Sequence, residues 1–268
     1  MRGKVSMLVP VIIWLACSCS VKENRTYCPA WCVVYSNGHV ASGCEGDLTC
    51  CVATAMESSF GFGLEDYSSF VQKGGLVLEV PRNENVFVDV FCGVEDMSLV
   101  GSVLAIPRGF SCDNIYSGHG SVFIAGEMGE TGLPLNKDFA MIAMKVSGEI
   151  SGEYPLLFRI LGNVDGYELP GGRPHRGDFD CMPMAEEGNI FRVTVPRQLD
   201  DSLILELLHK DDGSLVARLE LGKLVREMGY DWSAPDLKDI GIGVDVCEAA
   251  FIVKIDAWDV SETITINL

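Results

Sequence analysis

Cys17 and Cys19 stand where cysteine chemistry could fix a protein to a membrane. Arg2 and Lys4 give a short cationic start, residues 7–15 are almost wholly apolar, and small residues and cysteines follow. That order is the pattern of a secretory signal. The apolar run is too short for a hydrocarbon core, which needs about 20 residues, and Pro10 breaks it further. A lipid-accepting cysteine follows an aliphatic or small residue and then two small ones. Cys19 has Ala16, Cys17 and Ser18 before it; its rival Cys17 has Trp14 in the outermost place, a poorer fit. The expectation is a lipoprotein signal at 1–18 and acylation of Cys19. Two acyl chains at about 0.8 kcal/mol per buried methylene would hold the chain stably.

Five further cysteines crowd together: Cys28, Cys32, Cys44, Cys50 and Cys51. An exported chain can form disulfides, so structural or disulfide roles are expected, in a pairing the sequence leaves open. Cys28 and Cys32, if the segment is extended, lie about 13 Å apart and could bond only to other cysteines. No CxxC pair repeats at zinc-finger spacing, so no metal or other cofactor is expected. His39, His119, His175 and His209 are scattered, and none stands in HExxH or beside a catalytic-looking Cys or Ser. No GxSxG and no phosphate-cradling glycine loop is present, so no enzyme is expected. Asn163, Asp165 and Gly166 share part of a calcium loop, but Leu161 and Gly172 occupy the positions that need oxygen ligands, and the segment reads as a turn. Arg176-Gly177-Asp178 reads as a chance tripeptide rather than an adhesion motif. Trp232 and Trp258 read as core or domain-edge packing.

The elements that would position these residues are mostly strands. Residues 76–80, 85–91, 120–125 and 139–146 have strand character, with Val86, Val88 and Val90 on one face. Residues 147–153 are polar and glycine-containing, which puts a domain boundary near 150. Strands at 155–161, 191–195, 202–208 and 215–221 follow, with a long Gly/Pro-rich loop over 163–188. Asp212-Gly213 signals a hairpin. Leu221, Leu224, Val225 and Met228 recur at helical spacing and predict one short helix ending at Gly229. The last strands are expected at 240–246, 251–257 and 263–266. The reading is all-β, with two tandem β-sandwich domains over 19–150 and 151–268 and one short helix in the second.

Hydrophobic residues make up 48% of the 268, enough for a sizeable core. The net charge is −18, and loss of Arg2 and Lys4 with the signal brings it to −20. Such a field does not draw nucleic acid or anionic lipid, which leaves covalent lipid as the route to a membrane.

Several segments together resemble the FimB-type fimbrial anchor lipoproteins of Bacteroides-like bacteria. Residues 19–25 followed by Cys28-Pro-Ala-Trp-Cys32 resemble the mature start of that family, although many members have Cys-Pro-Cys there. Val195-Pro-Arg-Gln198, Leu221-Gly222, Gly229-Tyr-Asp-Trp232, Asp236-Leu-Lys-Asp-Ile240 and Ile255-Asp-Ala-Trp258 match in order and spacing. The resemblance implies two transthyretin-like β-sandwiches. It implies a non-enzymatic role at the cell-proximal end of a fimbrium, on the outer membrane, holding the shaft and limiting its growth. Partners would be fimbrial shaft subunits, joined by β-strand exchange. The alternatives are a tip or accessory fimbrillin with adhesive function, and a surface lipoprotein that binds a ligand. Shaft subunits carry an arginine-ended leader that proteases remove. Arg25 comes only six residues after Cys19, and a cut there would free the chain from its lipid.

Overall fold

The computed structural model describes residues 28–40, 49–55, 60–66, 76–147, 156–183, 185–186, 189–245, 250–255 and 261–264. Cys17, Cys19, Cys44, Trp258 and the expected signal at 1–18 lie outside them.

The described chain is all-β with one short helix. The first sheet contains β1 (Ala30–Val40), β2 (Thr49–Ala55), β3 (Phe60–Asp66), β4 (Leu76–Val80), β5 (Asn85–Cys92), β8 (Tyr116–Phe123) and β9 (Met128–Lys137). Their order across the sheet is β3-β2-β5-β8-β9-β1-β4. Alternation explains its inner face: Val86, Val88 and Val90 of β5 are fully buried, as the period-2 pattern predicts. They share a core with Ala30, Cys32 and Val34 of β1, Leu76, Leu78 and Val80 of β4, and Leu133 and Leu135 of β9. The β9-β1-β4 part of the sheet thus folds over β5 and β8. β1 runs antiparallel to β4 but parallel to β9.

Two further sheets enclose the larger core. One has β10 (Phe139–Ser147), β13 (Ala185–Glu186), β14 (Ile190–Pro196), β17 (Ile240–Asp245), β18 (Ala250–Ile255) and β19 (Ser261–Ile264). The other has β6 (Ser98–Val100), β7 (Val103–Ala105), β11 (Leu156–Glu168), β12 (Arg173–Cys181), β15 (Ile204–His209) and β16 (Leu215–Leu219). Ile142, Val193 and Ile242 of the first meet Leu104, Phe158, Ile160 and Leu205 of the second. The rings of Phe158 and Phe191 pack edge to face at 4.6 Å across this core. The helix α1 (Leu221–Glu227) buries Leu221, Leu224 and Val225, the stripe its spacing predicts. Gly213 takes φ +68° in the β15–β16 hairpin, the left-handed turn conformation expected of Asp-Gly.

Three sequence expectations change. The sheets do not part at residue 150: β10 pairs with β14 and β17, and β7 pairs with β11. β10, which precedes residue 150, thus contributes Ala140, Ile142, Met144 and Val146 to the larger core. The expected loop over 163–188 is mainly a hairpin. β11 runs on to Glu168 and β12 returns from Arg173, with register shifts between Gly162, Val164 and Gly166. Those shifts accommodate glycines that read as loop in sequence. Asn163, Asp165 and Gly166 therefore sit inside a strand, not in a turn.

Candidate functional site

β5 and β8 place Asp89 directly opposite His119, and strand alternation puts Ser117 on the same face as His119. His119 Nδ1 lies 2.8 Å from Asp89 Oδ1, and its Nε2 lies 2.7 Å from Ser117 Oγ. Ser117 donates to Asp138. Arg197 Nε in turn donates to Asp138 Oδ1 at 2.8 Å. The guanidinium also reaches the carbonyls of Trp232 at 2.6 Å, Ala234 at 2.7 Å and Pro235 at 3.0 Å. Tyr167 donates its hydroxyl to the Asp138 carbonyl at 2.6 Å and accepts from the Arg197 amide at 3.1 Å. Burial pushes the Tyr167 phenol well above its ordinary range, with Cys112 and Asp138 adding to the effect. Lys137 joins the same hub through Asp239 Oδ1 at 2.6 Å, and its amide donates to Asp236 Oδ1 at 2.8 Å.

This hub runs from the first sheet through the β9–β10 junction to the segment ahead of β17. It gathers Arg197, the Trp232 carbonyl, and Asp236 and Asp239, from motifs far apart in sequence. The sequence reading missed its centre, since it placed no histidine beside a serine. The signal was there: Ser117 and His119 are two apart in a strand.

Asp89, His119 and Ser117 touch in the order of a hydrolytic triad, but the setting is that of a joint. Ser117 is 1% exposed and its hydroxyl proton goes to Asp138. The β11–β12 turn lies on the imidazole: the Gly171 amide donates to Asp89 Oδ1 at 2.8 Å, and a Cβ on Gly172 would run into the His119 ring. Ser117 Oγ is thus engaged by His119 on one side and by Asp138 on the other.

Of the five clustered cysteines, Cys28 and Cys32 have described side chains. Cys28, exposed, and Cys32, buried, are free thiols, as are buried Cys92, Cys112 and Cys181. Of Cys50 and Cys51 only the strand backbone is described. Cys32 is a small apolar residue of β1, and burial raises its thiol to about 11; burial takes Cys181 to about 11 as well. Both stay protonated and poorly nucleophilic at neutral pH. Arg176, Gly177 and Asp178 lie in β12 rather than in a loop, with Arg176 3.5 Å from Asp200. No group of three or more His, Cys, Asp or Glu residues among the described residues could hold a metal ion.

The first sheet also shows an apolar outer face beside its open edge. β4 is the end strand. Trp31, Val77, Phe123 and Met128 are all exposed, and Met128 is 66% so. Trp31 is the register partner of Met128 on one side and of Glu79 on the other. Among the described residues, this end strand presents backbone groups with no neighbouring strand, together with apolar side chains, which suits addition of a further strand.

No protein-family model matches the chain, and no curated protein matches it. Solved structures do. The chain is similar to the fimbrial anchor protein Mfa2 from Porphyromonas gingivalis, with 13% identity and a TM-score of 0.58 over 86% of this chain and 97% of that one. It is similar to a DUF1812 protein of Bacteroides thetaiotaomicron, named as a candidate polysaccharide-binding protein, with 12% identity and a TM-score of 0.63 over 89% and 98%. A candidate adhesin from Bacteroides ovatus aligns with 11% identity and a TM-score of 0.60 over 89% and 96%. The fold is shared. At these identities the likeness is one of fold alone.

Proposed function

We propose that this chain is an outer-membrane lipoprotein that holds a fimbrium at its cell-proximal end and limits shaft length. The observation that carries the reading is the near full-length likeness to the anchor Mfa2, supported by a sequence that reads as a lipoprotein signal at 1–18 followed by Cys19. Cys19 precedes the first residue of β1 by eleven positions. An extended tether of that length spans at most about 40 Å, so acylation of Cys19 keeps the first sheet close to the bilayer. The shaft joins by strand exchange. β1 links β9 to β4 and buries Ala30, Cys32 and Val34 in the core, a plug of the kind that a neighbour's alternating strand could supply. The β4 edge, with Val77 and Trp31 outward, offers the open pairing surface.

The test is Cys19→Ala in the native organism. The expected result is loss of acylation and fimbriae shed into the medium; fimbriae that remain cell-bound in this variant would sink the proposal. N-terminal sequencing separates the tip or accessory reading, which requires a free Thr26, from a blocked Cys19.

A further inference from the structure

The Gly171-Gly172-Arg173-Pro174-His175 segment has a second consequence besides its seat on His119. It helps to form a cleft of about 460 Å³ between β5 of the first sheet and the β7, β11 and β12 strands. Phe87, Ser102, Glu168, Pro170, Arg173 and His175 line it. The volume lies within the range of small-molecule sites, about 300–1,000 Å³, and junctions between structural units are a preferred place for them.

The lining groups are poised rather than paired. Glu168 and Arg173 are register partners across β11 and β12, yet among the described residues neither side chain has an ion-pair or hydrogen-bond partner. His175 Nδ1 lies 2.7 Å from Asp165 Oδ1. A carboxylate can only accept, so the proton sits on Nδ1 in the neutral ring and Nε2 is left as an acceptor. The cleft thus offers a guanidinium that only donates, a carboxylate and an imidazole nitrogen that only accept, and a hydroxyl that does both. Half-buried Phe87 and Pro170 supply flat apolar walls.

We infer that this cleft binds a neutral sugar ring. A pyranose presents alternating hydroxyl donors and acceptors around its rim and C–H groups on its faces. Donors and acceptors in such a mixture match the rim, and Phe87 with Pro170 match a face. The charges argue for neutrality: the cleft is lined by one guanidinium, Arg173, and one carboxylate, Glu168, set opposite each other, so an anion gains one cation and meets one carboxylate. The inference does not rest on the anchoring role.

The test is titration of the full chain with glucose, galactose, mannose and N-acetylglucosamine, and with their short oligomers, followed by calorimetry and ligand-observed NMR. At least one is expected to bind, with Arg173→Ala and Glu168→Gln each weakening it by at least about tenfold and Asp212→Asn, in the remote β15–β16 hairpin, leaving it unchanged. Circular dichroism checks that all three variants are folded. No binding up to about 10 mM, binding unaltered in both cleft variants, or binding of glucuronate in preference to glucose would each overturn the inference.

Discussion

Arg197 gives its guanidinium chiefly to backbone carbonyls, and that makes it the residue on which the hub depends. Its charge faces Asp138, with only 15% and 10% of the two side chains exposed. Arg197→Ala would strip Asp138 Oδ1 of its donor and leave the carboxylate charge unpaired, with three carbonyls losing the guanidinium as well, and removing one partner of a buried pair costs about 3–5 kcal/mol. Unfolding in urea is expected to show a loss near the lower end of that range, about 3 kcal/mol. Arg197→Lys keeps the charge but not the planar fork, so about half of the loss should remain. Asp180 tests electrostatics nearer the surface. Its side-chain hydrogen bond with Arg159 holds the carboxyl below its ordinary 3.8, against a smaller opposing effect of burial. As pH falls, the unfolded chain therefore takes up this proton first. The pair stabilises the fold at and above pH about 4, and the contribution disappears as pH drops through the lower folded value. Asp180→Asn should flatten the acid limb of the stability curve below pH about 4 and leave the neutral region little changed beyond a constant offset. Thiol labelling makes a third check. A maleimide should modify exposed Cys28 in the native protein and reach Cys32, Cys112 and Cys181 only on unfolding.

At the scale of elements, the β11–β12 hairpin is where sequence and structure part. Residues 76–80 were legible because buried and exposed side chains alternate, 85–91 because Val86, Val88 and Val90 recur at every second position, and the helix 221–227 because its apolar stripe is regular and Gly229 follows it. The hairpin was not. Gly162, Gly166, Gly171, Gly172 and Gly177 give the composition of a loop, yet Gly166, Gly172 and Gly177 serve close approach and Gly171 a left-handed turn at φ +101°. A Cβ on Gly166 would meet the Leu104 carbonyl, and one on Gly177 the Asp165 carboxyl. β9 was hidden for a related reason: Gly129, Gly132 and Pro134 interrupt its pattern, although Leu133 and Leu135 are core residues. The Asp89–His119–Ser117 contact was half legible, from the spacing of Ser117 and His119. Asp138 and Arg197 join it only through long-range pairing that no local pattern records. Gly172→Ala tests the hairpin's seat. The residue has φ +59°, where any Cβ is strained, and the Cβ would also strike the imidazole of His119. A left-handed non-glycine residue costs about 1–2 kcal/mol before any clash. The variant should lose at least about 2 kcal/mol. Amide exchange should rise in residues 166–176 before it rises in β14 or β17.

On the scale of the whole molecule, the interleaving of strands decides how the chain can be divided. β10 lies between β14 and β17, with seven register pairs on one side and six on the other. Leu104, Ile106, Ile115, Ala140, Ile142 and Met144, all encoded before residue 150, are buried in the larger core. A fragment of residues 151–268 would lack them. Loss of β10 would bare a paired edge on β14 and on β17, and loss of β7 would uncover the far end of β11, near Tyr167. Tyr167 would also lose the Asp138 carbonyl that its buried hydroxyl requires. Backbone groups stripped of their partners inside a core of this size cannot be offset by the strands that remain. The fragment is therefore expected to give a disordered circular dichroism spectrum and collapsed amide dispersion, while residues 28–268 fold. A cooperatively folded 151–268 fragment would mean that β10 and β7 are accessory strands and that the boundary near 150 is a true division. The hub makes the opposite expectation physical, because Asp138 sits between β9 and β10 and holds Ser117 on one side and Arg197 on the other. Under the proposed anchoring role, a pull on the N-terminal end of the chain would pass into the larger core through β9 and Asp138.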